Sequence, residues 1–250
     1  MSFKGTFTYA HNKVLEYDEP DFQKYPNISR VGHSVDQQLL YIAERLFIDD
    51  SEVQRNPKQN LGGWVSGGDI KYKNLPDVNG NYDNVIDSND RQYTGMPTTP
   101  EIVYGFGPSF RYKKFDFSFF FQGAARVSIM MNGIHPFGAE GIRNVLQFIA
   151  DDYWSETNQN IYAEYPRLSK RDNENNTKAS TYWQRNGAFL KLKNLEVGFN
   201  HKFFRVYLRG SNLLTFSPFK YWDPEMGSGS GLSYPTQRVF NVGVQFSINK

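Results

Sequence analysis

Cysteine is absent from this 250-residue chain, which excludes disulfide staples, thiolate zinc sites and thiol nucleophiles. Long apolar runs are absent too. No window approaches the ~18 uninterrupted apolar residues of a membrane-crossing helix. Neither sign of charge dominates: 28 Lys and Arg stand against 26 Asp and Glu, a formal net charge of +2. The basic residues are interspersed, and a run such as Lys113-Lys114 is too short to indicate a nucleic-acid partner. The opening residues, MSFKGTFTYAHNK, lack the charged head and apolar centre of a signal peptide. The glycines of 227–231 lack the Lys-Ser/Thr of a phosphate loop, so nucleotide binding is unsupported. His11, His33, His135 and His201 are scattered without metal spacing. The carboxylate pairs Asp49-Asp50 and Asp151-Asp152 read as solvated, and no Ser-His-Asp arrangement can be drawn. Nothing points to an enzyme.

Aromatic residues, by contrast, are plentiful: 21 Phe, 16 Tyr and 4 Trp make up 16% of the chain, yet the mean hydropathy is only −0.62. Alternation reconciles the two. Phe3, Gly5, Phe7 and Tyr9 share one parity of residues 2–10 against Ser2, Lys4, Thr6 and Thr8. Phe115, Phe117, Phe119 and Phe121 alternate with Asp116, Ser118, Phe120 and Gln122. Near the end, Phe240, Val242, Val244, Phe246 and Ile248 alternate with Asn241, Gly243, Gln245, Ser247 and Asn249. A period of two marks strands with one apolar and one polar face. Weaker strands are predicted over 101–112, 188–199 and 203–212. Pro108 implies an edge, a bulge or local distortion. The switch of phase from Leu190 and Leu192 to Leu195, Val197 and Phe199 implies a bulge near Asn194.

The connections carry the architecture. Only Lys113-Lys114 and Asn200-His201-Lys202 separate neighbouring strands tightly; the gaps 11–100, 125–187 and 213–236 are long. In an up-and-down sheet, tight turns then fall on one edge and long loops on the other, as in transmembrane β-barrels. The strands also have about the ~9–11 residues that a tilted membrane strand needs. Short helices are predicted within the long loops, over 139–154 (Ile142, Val145, Leu146, Ile149) and 35–47 (Leu39, Ile42, Leu46). The membrane reading points the apolar faces at lipid, with Phe115, Phe117, Phe119, Phe121, Phe240, Val242, Val244 and Phe246 as the lipid-facing set. A soluble or secreted β-rich carbohydrate-binding module would turn the same faces inward. Six strands are too few to close a barrel, since the smallest of this kind have about eight. The chain therefore reads as a piece of something larger or one subunit of an assembly.

Five ordered segments resemble one family. GDIKYKNLPDVNGNYDNVIDSNDRQYTG (68–95) followed by PTTPEIVYGFG is similar to the C-terminal region of SusC/RagA-type TonB-linked outer-membrane proteins. STYWQRNGAFLKLKNLEVGF (180–199), RVYLRGSNLLTFSPFKYWDPE (205–225), FTYAHNKVLEYDEP (7–20) and YPNISRVGHSVDQQLLYIAERLF (25–47) resemble further stretches of it. The resemblance implies an all-β fold: an antiparallel up-and-down transmembrane β-barrel segment of about six C-terminal strands, with long external loops carrying short helices. It implies the outer membrane of a Gram-negative cell, and import of oligosaccharides or peptides with a SusD-like surface lipoprotein, energised through TonB. Residues 1–250 would cover the last quarter or so, with plug, TonB-contacting segment and signal peptide absent, so the isolated chain is not expected to transport by itself.

Two local patterns stand out. Residues 79–90 follow the spacing of a calcium loop, with Asn79, Asn81, Asp83, the Val85 carbonyl, Asp87 and Asp90 as candidate ligands. Asn84 replaces the usual glycine, which a residue tolerant of the left-handed region permits. Asn79 in place of Asp and Asp90 in place of Glu reduce charge or reach, so affinity would be modest. The ordinary alternative is an Asx-rich turn closed by its own side chains. Tyr221-Trp222, beside Asp223 and Glu225, are candidate substrate contacts by stacking on sugar rings; interfacial packing is the alternative.

Overall fold

The computed structural model describes residues 1–136, 144–170 and 172–247. The alternating segments form one six-stranded sheet: β1 (Ser2–Tyr9), β2 (Ile102–Tyr112), β3 (Phe115–Ala125), β4 (Phe189–Asn200), β5 (Phe204–Phe216) and β6 (Val239–Phe246). The strands neighbour one another in chain order and every pairing is antiparallel, so the sheet is an up-and-down meander. Lys113 takes a positive φ of 53° to close the turn between β2 and β3, and His201 N–H donates to the Phe204 carbonyl in the turn between β4 and β5. The long connections 10–101, 126–188 and 217–238 all join the other ends of the strands. Among the described residues β1 pairs only with β2 and β6 only with β5, so the sheet is open.

Both predicted irregularities are present. The register of β4 shifts between Leu192 and Asn194 against both neighbours, which restores the apolar phase at Leu195. Pro108 pairs with Phe3 of β1, while the ladder from β2 to β3 skips Gly107 and Pro108 and resumes in the same register. A proline lacks the amide a central strand supplies, and this gap accommodates it.

The sheet belongs to one of two compact units, comprising Met1–His11, Pro97–Ile129 and Asn186–Lys250; the second comprises Asn12–Met96 and Met130–Arg185. Short pieces build the second unit. Gln38–Tyr41 pairs with Arg91–Thr94, Ala43–Leu46 with Ile70–Tyr72, and Lys58–Gln59 with Val85–Ile86 in parallel. Helices α1 (Asp50–Arg55), α2 (Gln147–Asp151) and α3 (Glu174–Thr177) are brief. The helix expected over 35–47 is therefore corrected: this segment forms two strands. Its apolar spacing fits a helix, but backbone pairing with residues distant in the chain outweighs that local preference. Of the helix expected over 139–154, the described residues hold α2; residues 137–143, including Ile142, lie outside the described residues, as do Ile248 and Asn249.

The second unit has a conventional interior. Leu40, Leu46, Phe47, Ile70, Ile86, Ile149 and Trp183 are all at most 2% exposed. Asp69 is fully buried at its centre. Its carboxylate meets Arg167 at 2.7 Å and accepts hydrogen bonds from the Asn173 and Asn176 amides at 2.9 Å each and from Ser66 N–H at 2.8 Å. Two α3 asparagines complete the short strand at Ile70: Asn176 Oδ1 accepts from Ile70 N–H and Asn175 Nδ2 donates to its carbonyl. Gln59 accepts from Tyr72 N–H. A three-residue strand buried with one neighbour would otherwise leave costly unpaired backbone groups. Gly68, at φ 79°, is required here because a Cβ would lie 2.2 Å from the Trp154 ring.

Candidate functional site

Directly opposed residues share a face of an antiparallel sheet, so the register decides what each face presents. Phe7 opposes Tyr104, Phe106 opposes Phe121, and Phe121 opposes Leu192. Phe117 opposes Val197, which opposes Leu208, which opposes Val242. One face thus runs apolar across all six strands. It carries the whole predicted lipid-facing set, and its register contains no charged residue. Much of it is open: Phe115 is 56% exposed, Phe240 69%, Val242 76%, Val244 53% and Phe246 77%. Phe119 and Phe121 are half-buried among their neighbours, with ring centroids 5.7 Å apart. An open apolar face of six strands is foreign to a water-soluble monomer, whose largest patches reach only a few hundred Å².

The opposite face holds the charge. Arg205 bridges Asp116 at 2.5 Å and Glu196 at 2.6 Å across three strands. Lys191, 1% exposed, reaches Asp223 at 2.5 Å and Glu225 at 2.6 Å, and Lys193 meets Glu225 at 2.8 Å. Burial pushes the Asp223 and Glu225 carboxyls up, but hydrogen bonds from Lys191, joined by Lys193 at Glu225, outweigh it and hold both below their ordinary values. These ion pairs tie the connection 217–238 to β4. Tyr221 and Trp222 lie in that connection, half-buried, packed on Phe219 at 5.3 and 4.6 Å, with Trp222 Nε1 donating to the Gly227 carbonyl. The acidic neighbours that suggested a sugar subsite are engaged with lysines. Lys191 was missed in the sequence reading; the phase shift beside it was the available signal, since it puts Lys191 opposite Gln122 on the polar face.

At the root of the first long connection, Glu101 is 5% exposed and joins His11 and Arg126, both at 2.5 Å. Burial raises the Glu101 carboxyl, yet these two donors together leave it lowered.

The segment 79–90 lies in the second unit. Asn84 takes φ 60°, in the left-handed region. Asp83 Oδ1 accepts from Val85 N–H, and Asp87 Oδ1 from Asn89 N–H. Asp90 is 3% exposed, and its two oxygens accept from Leu75 and Asp87 N–H at 2.6 and 2.7 Å. Burial pushes the Asp90 carboxyl above its usual range despite these amides. Asn79 and Asn81 donate their backbone N–H groups to Asp77. Among the described residues, no three His, Asp or Glu side chains are gathered as metal ligands would be.

The second unit also carries clefts that the sequence did not announce. One of about 540 Å³ is lined by Asp49, Asp50, Trp154, Gln159 and Arg167. Another, of about 370 Å³, is lined by Phe47, Asn56, Lys58 and Trp64, and Trp64 is 81% exposed. Gly62-Gly63 before Trp64 was the available signal; both glycines have positive φ and lift the indole into solvent.

Comparison with known proteins follows the same line. No family model matches the chain. A TonB-dependent receptor P3 of Formosa agariphila is 30% identical over 273 residues, covering 98% of this chain and 26% of the relative. A TonB-dependent receptor P26 of the same organism is 28% identical, covering 93% and 26%. Among solved structures, the RagAB peptide transporter superposes with TM-score 0.64 at 21% identity, over 98% of this chain and 27% of that one. The RagAB peptide importer in its open-open state gives 0.65 at 20% identity. The chain spans about a quarter of the length of each of these proteins. Over nearly its whole length, this chain is a relative of TonB-dependent receptors, with a SusC/RagA-like fold.

Proposed function

We propose that the six strands form a wall segment of an outer-membrane β-barrel, the C-terminal part of a TonB-dependent importer in a Gram-negative cell. The observation that carries this reading is the apolar face that crosses all six strands while the described ion pairs of Arg205 with Asp116 and Glu196 and of Lys191 lie on the other. In hydrocarbon a spanning sheet has to close, so the free edges at β1 and β6 would pair with strands of a longer protein. The charged face would then line the lumen, and the long connections would stand outside the cell.

Cargo would be an oligosaccharide or peptide. The RagAB complexes are a peptide transporter by name, and the exposed Trp64 and the cleft bearing Asp49 and Asp50 suit either class. A SusD-like lipoprotein would meet the external loops, and TonB would act through other parts of the whole protein. The soluble alternative, a β-rich carbohydrate-binding module, requires the apolar face to be covered by a core, whereas its side chains are open. Fractionation of cells expressing the chain tests the reading. Retention in alkali-washed outer membranes is expected; a monodisperse chain recovered without detergent would overturn it.

We also propose calcium as a ligand of 79–90. The left-handed Asn84 supports it, and the backbone amides held by Asp83, Asp87 and Asp90 compete with it. Calorimetric titration of the chain and of an Asp83→Ala, Asp87→Ala double variant decides: binding by the first alone is expected, and negligible binding by both removes the ion.

A further inference from the structure

We propose that the tight-turn end of the sheet is a docking surface for the headgroups of anionic glycerophospholipid; the inference rests on the barrel-wall reading above. Pairing of β3 with β4 sets the two tight turns side by side. Asn200 N–H donates to the Lys114 carbonyl at 2.6 Å, and the Phe115 and Phe199 rings lie 5.3 Å apart. Lys113, Lys114 and Lys202 are thereby gathered at one end of the sheet, all exposed. None of the three makes an ion pair among the described residues. The carboxylates of the adjoining strand ends do not compensate them. Asp116 and Glu196 are both taken by Arg205, and Arg111 stands directly opposite Asp116.

The aromatic residues at this end set the depth. Tyr112 and Phe115, 71% and 56% exposed, continue the apolar face up to the turn. The Lys113 ammonium sits 5.4 Å from the Tyr112 ring centroid, and the Lys202 ammonium 5.4 Å from that of Phe203. A cation above an aromatic ring above an apolar wall matches the order of a bilayer boundary: phosphate, glycerol region, acyl chain. Lysine ammonium groups are compact charges on flexible stems, suited to mobile phosphodiesters rather than to one fixed geometry. Continuity with the apolar face assigns the phosphate to a lipid, since a free anion would gain nothing from the wall below it. The net positive balance favours a headgroup with net negative charge, such as phosphatidylglycerol, over a zwitterionic one.

Flotation of the full chain with vesicles tests this, comparing phosphatidylcholine alone with phosphatidylcholine containing phosphatidylglycerol. Both are expected to bind, the anionic vesicles at least about ten-fold more tightly, given roughly five-fold per surface lysine. That preference should fall in high salt, disappear in a Lys113→Gln, Lys114→Gln, Lys202→Gln variant, and return when the same positions are arginine. Equal binding to both vesicles, or a preference that survives in the glutamine variant, overturns the docking surface while leaving the barrel wall standing. Release from anionic vesicles by soluble glycerol phosphate overturns the lipid as the source. Failure to bind either vesicle overturns both readings together.

Discussion

The sheet and the second unit use large apolar side chains in opposite ways. In the sheet, Phe3, Phe7, Phe240, Val242 and Phe246 are each at least 65% exposed; in the second unit, Leu40, Leu46, Phe47, Ile70 and Trp183 are each at most 2% exposed. One chain has built one region with its apolar groups outward and another with them inward. Burial in water is driven by the removal of apolar surface, so the second unit is made as water requires. The sheet satisfies the same rule only where something apolar covers that face. Polar groups invert in step: the sheet's ion pairs lie on the face away from the apolar one, whereas in the second unit Asp69 and Asn176 are buried in the core.

Three experiments break or sharpen that contrast. The largest effect is expected at Trp183, which packs against His135, Tyr165 and Tyr182 and donates its indole N–H to the Asn176 carbonyl. Trp183→Ala should destabilise the chain by about 3–5 kcal/mol in urea denaturation of detergent-solubilised protein. Phe240→Ala should cost under about 0.5 kcal/mol in the same medium, because the side chain there exchanges one apolar or solvated surface for another. Equal costs for the two would mean that both regions have buried cores, and the contrast would be lost.

Next comes the membrane itself. Val242→Lys should weaken retention in alkali-washed membranes by about 2–4 kcal/mol if Val242 lies near mid-bilayer, while Asn241→Lys on the opposite face should change it by under about 1 kcal/mol. Indistinguishable variants would contradict the sidedness of the sheet.

The smallest effect belongs to the second unit and to pH. Glu52 accepts hydrogen bonds from Arg45 at 2.9 and 2.6 Å, and this guanidinium chiefly, helped by Ile48 N–H and Lys71, lowers its carboxyl to about 2 from an ordinary 4.5. Because the folded value is depressed, the contribution is fully present above pH 4.5 and is lost as the pH falls towards 2. It should amount to on the order of 2 kcal/mol after solvent screening. A Glu52→Gln variant should therefore show a flatter stability profile between those limits, and an unchanged profile would remove the effect.

The legible parts of the fold were those with local period. All six strands of the sheet and the bulge before Asn194 follow from alternation within single segments, and the disturbance at Pro108 from the proline itself. The second unit was legible only in fragments. Leu39, Ile42 and Leu46 sit at helical spacing, but their segment pairs with Arg91–Thr94 and Ile70–Tyr72, residues that no local pattern connects to it. Asn175 and Asn176 are buried, and their burial arises because strand Ile70–Tyr72 needs partners from elsewhere. In the candidate sites, the apolar set from Phe115 to Phe246 was visible because parity alone defines a face. Lys191 and the three turn lysines were not, because their surroundings come from other strands.

By itself, then, the sequence determined which segments alternate, which side of each strand is apolar, and which turns are short, since these depend on backbone geometry within a few residues. Only the tertiary structure decided that the six apolar sides form one continuous face, that Arg205 gathers Asp116 and Glu196, and that Asp69 anchors a buried polar centre. Register between strands and partners across loops are matters of contact between residues far apart in the chain, and a contact of that kind has no signature in the local order of residues.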